Sequence, residues 1–213
     1  MNLSGIEKVK GFMPKHEGCA LLNWAEKFSE IGPIFEIGTY CGKSSLYLAN
    51  GASLNNQFVY TVDHHFGSEE HQLNEEYFDE DVYDFKEKRV NSFPLLIENI
   101  NDHKMQNIVP IISDAYNLSS KWTTKLGMLF IDGGHSLESA MSDYNSWESK
   151  ILCSGALVIH DIYEKPQDGG QAPFKIYKKA LENNYKLYER VDTIVCLITV
   201  SYTHLTLPTN IGV

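Results

Sequence analysis

Four side chains in the second half of the chain have the types and places to do acid–base or metal chemistry. Asp132 and His135 lie in FIDGGHS, directly after an apolar run, and His160 and Asp161 close GALVIHD after another. The imidazoles of His135 and His160 have ordinary pKa values near neutrality, which suits a group that takes a proton from a hydroxyl. Asp132 and Asp161 each follow an apolar run, so a fold that aligns those runs brings the two carboxylates together. Such a pair suits Mg2+ or Ca2+, and a metal there would acidify a bound hydroxyl. The plainer alternative for Asp132 and His135 is an Asp-Gly-Gly turn without chemistry. The first half carries a different set. Glu36 interrupts the apolar PIFEIG, where a buried carboxylate is costly unless something pairs with it. Gly38 and Gly42 bracket GTYCG, a turn whose backbone could pass close to a ligand. Asp63 ends QFVYTVD, 21 residues beyond Gly42. An acid at that distance past a glycine turn holds a ribose diol in nucleotide-binding folds, or else caps the helix that follows.

These residues need elements to position them. Ile34 to Ile37 reads as a short buried strand, and Lys43 onward as a helix, so the glycine turn joins strand to helix, the first unit of a nucleotide-binding α/β fold. Pro14 to Ile31 has Leu21, Leu22, Trp24, Ala25 and Phe28 at helical spacing, with Gly32-Pro33 as the stop. His16 and Glu17 read as its exposed first turn, the alternative being that they face a ligand pocket. Further strands are expected at 57–63, 107–113, 126–131 and 155–160. Helices are expected at 86–100, kinked at Pro94, at 137–151 with Ser136 as the N-cap, and at 172–184. Tyr185 to Arg190 and Thr193 to Thr199 are too close to join except as a hairpin, so the last strand runs antiparallel. The fold class is therefore α/β: a Rossmann-like, seven-stranded, mostly parallel sheet with helices on both faces and an antiparallel C-terminal strand. His64, His65 and His71 follow the second strand without compact zinc spacing, and this segment reads as the mouth of a pocket. The acidic, aromatic stretch at about 67–85 reads as an insertion or lid.

At 213 residues one domain, 1–199, is expected. The net charge of −10 and pI near 5.2 argue against a broad nucleic-acid or membrane-binding face. Cys19, Cys41, Cys153 and Cys196 are scattered without paired spacing, so no disulfide framework is expected and a reducing cytoplasm is the default. No apolar run approaches membrane-spanning length.

Four stretches together resemble one family: FEIGTYCGKSS at 35–45, VYTVDHHFGSEEHQ at 59–72, MLFIDGGHSLESAMSDYNSW at 128–147 and SGALVIHDIY at 154–163. They resemble the class I S-adenosylmethionine-dependent methyltransferases, in detail the bacterial methyltransferase type 24 group, over roughly residues 10 to 198. The resemblance implies S-adenosylmethionine as cofactor. It implies that Glu36 and the turn Gly38, Thr39, Tyr40, Cys41, Gly42, Lys43 and Ser44 cradle the methionine part. Asp63 would hold the ribose with His64 beside it, and Asp114 and Ala115 would border the adenine. Asp132 and His135 would sit where cofactor and acceptor meet. Tyr40 and Cys41 stand where many first motifs have a middle glycine. The implied function is methylation, at oxygen, of a small molecule, with Asp132, His135 and His160 as the catalytic set and Asp132 and Asp161 as the metal pair. A homodimer is left open. The competing readings are a nicotinamide-dependent oxidoreductase, disfavoured by the missing G-x-G-x-x-G and the closing hairpin, and a passive cofactor-binding accessory protein. The end of the chain, VSYTHLTLPT from Val200, resembles a translated sequencing adapter, so 200–213 is set apart as a non-native tail.

Overall fold

A computed structural model of the chain describes residues 3–67, 72–73, 75, 78–134 and 136–200. The expectations for His135, for His71 and much of the acidic insertion, and for the tail after Val200 lie outside or partly outside these residues. The main sheet contains β1 (Ile34–Ile37), β2 (Val59–Asp63), β5 (Ile108–Ile112), β6 (Leu126–Ile131), β7 (Ile151–Ile159), β8 (Tyr185–Val191) and β9 (Ile194–Thr199). Its order is β5-β2-β1-β6-β7-β9-β8. The first five strands run parallel, and β9 pairs antiparallel with both β7 and β8. The order departs in both directions from β1, so the crevice between the carboxyl ends of β1 and β6 is a topological switch point, where open α/β sheets bind ligands.

Strand periodicity divides the core into two layers. Ile34, Met128, Phe130, Ala156 and Val158 pack under α1 (Lys15–Ser29) and α2 (Lys43–Ala52). Phe35, Leu129, Ile131, Leu157 and Ile159 face the other way, toward α4 (Ala115–Ser119), α5 (Leu137–Trp147) and α6 (Ala172–Glu182). On that second face Phe35 stacks on Trp147 with centroids 3.9 Å apart, and Trp147 Nε1 donates to the Ala115 carbonyl at 3.0 Å. This one side chain ties α5 to the end of β5 beside the crevice. The burial is continuous because parallel strands are covered on both faces.

Two boundaries differ from the sequence reading. The expected helix at 86–100 begins only at Phe93, as α3 (Phe93–Asp102), with Pro94 in its first turn. Proline is tolerated there because the first amides have no helical acceptor, so Pro94 starts the helix instead of kinking it. Upstream, β4 (Arg89–Val90) pairs with β3 (Tyr83–Asp84) in a separate small ribbon. Val82 and Val90 of this ribbon pack on Cys41 of the glycine turn. The strand expected at 155–160 starts earlier, at Ile151, through an irregular pairing between Leu126 and Met128 on β6. Ser136 accepts from the Ser139 amide as the expected N-cap. No helix of the described residues is long and apolar enough to cross a membrane.

Candidate active site

The glycine turn is held by side chains of the elements around it. Gly38, Tyr40 and Gly42 all have positive φ, at 90°, 48° and 87°. A side chain at Gly38 would overlap the carbonyl oxygen of Asp132, so the loops after β1 and β6 touch through backbone. Glu36 alternates with Ile34 and so points to the α1–α2 face. It is fully buried, and Ser44 Oγ donates to Oε1 at 2.5 Å while Thr61 Oγ1 donates to Oε2 at 2.6 Å. Ser45 Oγ also donates to Oε2, and Thr39 Oγ1 pairs with Thr61 Oγ1. The pairing that a buried carboxylate requires is therefore made by hydroxyls from α2 and β2. Burial nevertheless pushes the Glu36 carboxyl up to about 7, against the three hydroxyl donors that favour its charge. These bonds pin the first turn of α2 to β1. Lys43 reaches to the Gly11 carbonyl at 3.4 Å. Tyr40 OH donates to Asp79 at 2.9 Å, and Lys10 pairs with the same carboxylate at 2.7 Å.

Asp63 braces the turn from the neighbouring strand. Its Oδ2 accepts the amides of Thr39 at 3.0 Å and Tyr40 at 2.9 Å, and its Oδ1 accepts the His65 amide at 2.7 Å. Burial alone would raise its pKa. The nearby His65 and these three amides outweigh that and hold the carboxyl below its ordinary value. Oδ2 therefore has two donors, and the remaining acceptor capacity lies at Oδ1. Of the two adjacent histidines, His64 is exposed while His65 is buried. His65 pairs through Nδ1 with Ser92 Oγ at 2.8 Å, and its buried Nε2 has no partner. Burial lowers its pKa, against the pull of the Asp63 carboxylate. Asp114 caps α4 by accepting the Asn117 amide at 3.0 Å, and Ala115 follows as the first helical residue.

At the ends of β6 and β7 the structure brings Asp132, His160 and Asp161 together. Ile131 pairs with Ile159, so the next residue of each strand stands side by side. His160 shares parity with Ala156 and Val158, which turns it toward α1. There it meets Glu17, which the sequence reading placed in an exposed turn. Glu17 is 1% exposed. Its Oε2 lies 2.8 Å from His160 Nε2, and its Oε1 accepts Thr193 N at 2.8 Å and Thr193 Oγ1 at 2.7 Å. On the other side, His160 Nδ1 lies 2.9 Å from Asp132 Oδ1 and 3.7 Å from Asp161 Oδ1. Burial alone would lower the His160 pKa. Asp132, Glu17 and Asp161 reverse this and raise it to about 11. His160 thus has a carboxylate oxygen against each of its two ring nitrogens. Glu17 was legible in hindsight, since it lies four and seven residues before Leu21 and Trp24 on the buried stripe of α1.

The donor atoms of Asp132, His160 and Asp161 lie within 4.8 Å of one another, a spacing a metal could bridge. His160 Nδ1 is directed at Asp132 Oδ1, and two carboxylates with one imidazole nitrogen are donors that a divalent cation can accept.

A cleft beside this cluster is lined by Ile131 to Gly134, Ile159 to Asp161, Ala140, Pro173 and Ile176. Asp143, which the sequence reading placed on its helix without a role, is 7% exposed behind Gly133. Burial, with Asp114 adding, pushes its carboxyl up to about 7.

Comparison with known proteins follows this geometry. A family model described as "Methyltransferase domain", of type 24, matches residues 35–162, from β1 to just past Asp161. The O-methyltransferase TomG of Streptomyces achromogenes, involved in tomaymycin synthesis and solved with S-adenosylmethionine, is 11% identical with a TM-score of 0.65, over 94% of this chain and 92% of that one. An O-methyltransferase of Bacillus cereus solved with S-adenosylhomocysteine is 14% identical with a TM-score of 0.62, over 94% and 92%. An rRNA methylase of Streptococcus thermophilus is 13% identical with a TM-score of 0.56, over 90% and 100%. At such identities the solved structures share the fold, and their acceptors differ. The family match spans more than half of the sequence, and the chain belongs to the methyltransferase type 24 family, on the fold of the class I S-adenosylmethionine-dependent methyltransferases.

Proposed function

We propose that the chain transfers a methyl group from S-adenosylmethionine to an oxygen atom of a small-molecule acceptor. The observation that carries this reading is the backbone contact between Gly38 and Asp132. It sets a cofactor-type glycine turn directly against the strand end that holds the polar cluster. The turn from Gly38 to Ser44 would hold the methionine part of the cofactor by backbone. Asp63 would take a ribose hydroxyl at Oδ1, and Asp114 and Ala115 would flank the adenine. When bound, the sulfonium supplies an already activated methyl group. The chain's own residues then have two tasks: to hold the acceptor oxygen in line and to take its proton. His135 would serve as the base, with Asp132 beside the acceptor. The strongly acidic chain, at −10, favours a small acceptor over RNA, despite the fold shared with an rRNA methylase.

Calorimetric titration tests the cofactor half. S-adenosylhomocysteine is expected to bind one per chain and to raise the melting temperature, since a ligand specific for the native state stabilises by mass action. Binding of NAD with no response to S-adenosylhomocysteine would overturn the reading. Transfer of a labelled methyl group to a panel of phenols, sugars and amines tests the acceptor half. Label recovered only on nitrogen would refute the assignment to oxygen.

A further inference from the structure

We infer that the Asp143 carboxylate receives the 6-amino group of the adenine and so sets which purine the crevice accepts. This rests on the cofactor reading above and adds the residue that reads the base. Helical phase carries the placement. Asp143 lies one turn before Trp147 on α5, and Trp147 stacks on Phe35 of β1. Phe35 and Ile37 share a face of β1, with Ile37 nearer the carboxyl end. Asp143 therefore stands beside Ile37, at the crevice end of the sheet. The glycine after Asp132 shows the same. A Cβ on Gly133 would lie 3.2 Å from Asp143 Oδ2 and 3.3 Å from Ile37 Cγ2. On the other side of Asp143 is the segment proposed to flank the adenine. Trp147 Nε1 holds the Ala115 carbonyl at 3.0 Å, and the Asp114 carboxylate acts on Asp143 as a like charge.

This carboxylate has lost water without gaining a donor. Asp143 is 7% exposed, and its oxygens accept no hydrogen bond among the described residues. The other two buried acids of the described residues, Glu17 and Glu36, are each bonded through both oxygens. A buried acid without a partner destabilises the fold that carries it, and a second acid facing it adds repulsion. Such a conflict is kept where a ligand relieves it. What the site lacks is an N–H donor. Of the donors on S-adenosylmethionine, the ribose hydroxyls fall to Asp63 and the methionine part to the glycine turn, which leaves the exocyclic amine for this end. The same carboxylate excludes a 6-oxo purine, whose carbonyl would set acceptor against acceptor and leave both unpaired. Asp143 is thus a specificity residue, and no proton of the transfer passes through it.

Calorimetry of the full chain with three ligands tests this: S-adenosylhomocysteine, its analogue with hydrogen at position 6 of the purine, and its 6-oxo analogue. The parent protein should bind S-adenosylhomocysteine at least about tenfold tighter than the 6-hydrogen analogue, the scale of one hydrogen bond to a charged group, and the 6-oxo analogue more weakly still. Asp143→Leu fills similar space without the charge. It should bind S-adenosylhomocysteine and the 6-hydrogen analogue within about threefold of each other, since only the parent's carboxylate tells them apart. Its ligand-free Tm at about pH 8 should match or exceed the parent's, because the lost carboxylate had no partner. Equal affinities of the parent for S-adenosylhomocysteine and the 6-hydrogen analogue would overturn the proposal and leave the cofactor reading standing. A preference that survives in Asp143→Leu would overturn it too, as would a Tm below the parent's, which would give the carboxylate a structural partner. If the parent binds none of the three ligands, the cofactor reading falls and the proposal with it, so the two failures are told apart in one set of titrations.

Discussion

Replacing Asp63 by alanine separates its structural work from its place beside a ribose. In the folded protein its carboxylate accepts the amides of Thr39, Tyr40 and His65 at 2.7–3.0 Å. Two of these belong to the glycine turn, whose Tyr40 is held at a φ of 48°. Removing the carboxylate strands three donors. A fully buried donor left unsatisfied costs ~1–3 kcal/mol. The Asp63 side chain is 18% exposed, so water can reach part of the gap and the lower figure applies. Three donors then give a loss of ~3 kcal/mol, or roughly 6–12 °C in Tm for a domain of this size. Cofactor affinity should fall as well, by ~1–3 kcal/mol for the lost hydroxyl bond and the loosened turn, which is roughly 5- to 150-fold in Kd. Asp63→Asn should do little better. Its NH2 group would face either the Thr39 and Tyr40 amides or the His65 amide, donor against donor. Thermal denaturation followed by circular dichroism reads the first quantity, and calorimetry with S-adenosylhomocysteine reads the second. If Tm is unchanged while affinity falls, the three amide bonds carry no net stability and the bracing argument fails. If both are unchanged, Asp63 neither braces the turn nor holds a ribose.

Gly38→Ala drives a methyl group into the Asp132 carbonyl at a φ of 90°, so S-adenosylhomocysteine binding should fall at least ~100-fold, the scale of about 3 kcal/mol; binding within threefold would show that the loops separate freely. Glu36 has a folded pKa raised to about 7, so its neutral form stabilises the fold below the unfolded value near 4.5, and that contribution is lost as pH rises through about 7. Glu36→Gln should therefore flatten the fall in urea-unfolding stability across that window, by a few kcal/mol, and an unchanged slope would refute the assignment. Asp143 is raised to about 7 by the same cause, and Asp143→Asn should raise Tm at about pH 8 but not below pH 4. His135→Ala should keep S-adenosylhomocysteine binding but lose methyl transfer by roughly 10²–10⁴-fold, the range for a general base; turnover like that of the parent would move the base to Asp132 or to the acceptor itself.

The sheet was legible because burial on both faces leaves a strong mark. Runs such as LGMLFI and GALVI suit central parallel strands, and the short gap before the last strand, Asp192-Thr193 in the structure, forces the closing hairpin. The strand ends therefore placed Asp132 and Asp161 correctly in space. What sequence spacing could not supply was the direction of each side chain. Thr39, Lys43 and Ser44 stand in the turn that the resemblance assigns to the cofactor, yet Thr39 pairs with Thr61, Lys43 reaches Gly11 and Ser44 bonds Glu36. Their side chains serve the turn's shape. His64 and His65 show the same limit: adjacent positions, opposite exposures, with the φ of 64° at His65 setting which ring goes inside.

Glu17 was missed for a reason that can be put to use. A carboxylate in a helix's first turn is ordinarily a solvated, dipole-favoured residue, and that expectation outweighed its position on the buried stripe. The competing information was distributed over three places. Glu17 lies in phase with Leu21, Trp24 and Phe28, so it faces the sheet. Val158 and His160 share a face of β7, and Val158 packs in the layer that α1 covers. The hairpin turn after β8 brings Thr193 to the same end. A buried acid on one element and a buried histidine on the facing parity of another are each expensive alone, and each removes the other's cost. Searching a sequence for polar residues that are in phase with a core stripe, and then for a complementary residue of matching strand parity, would have paired Glu17 with His160 before any coordinates.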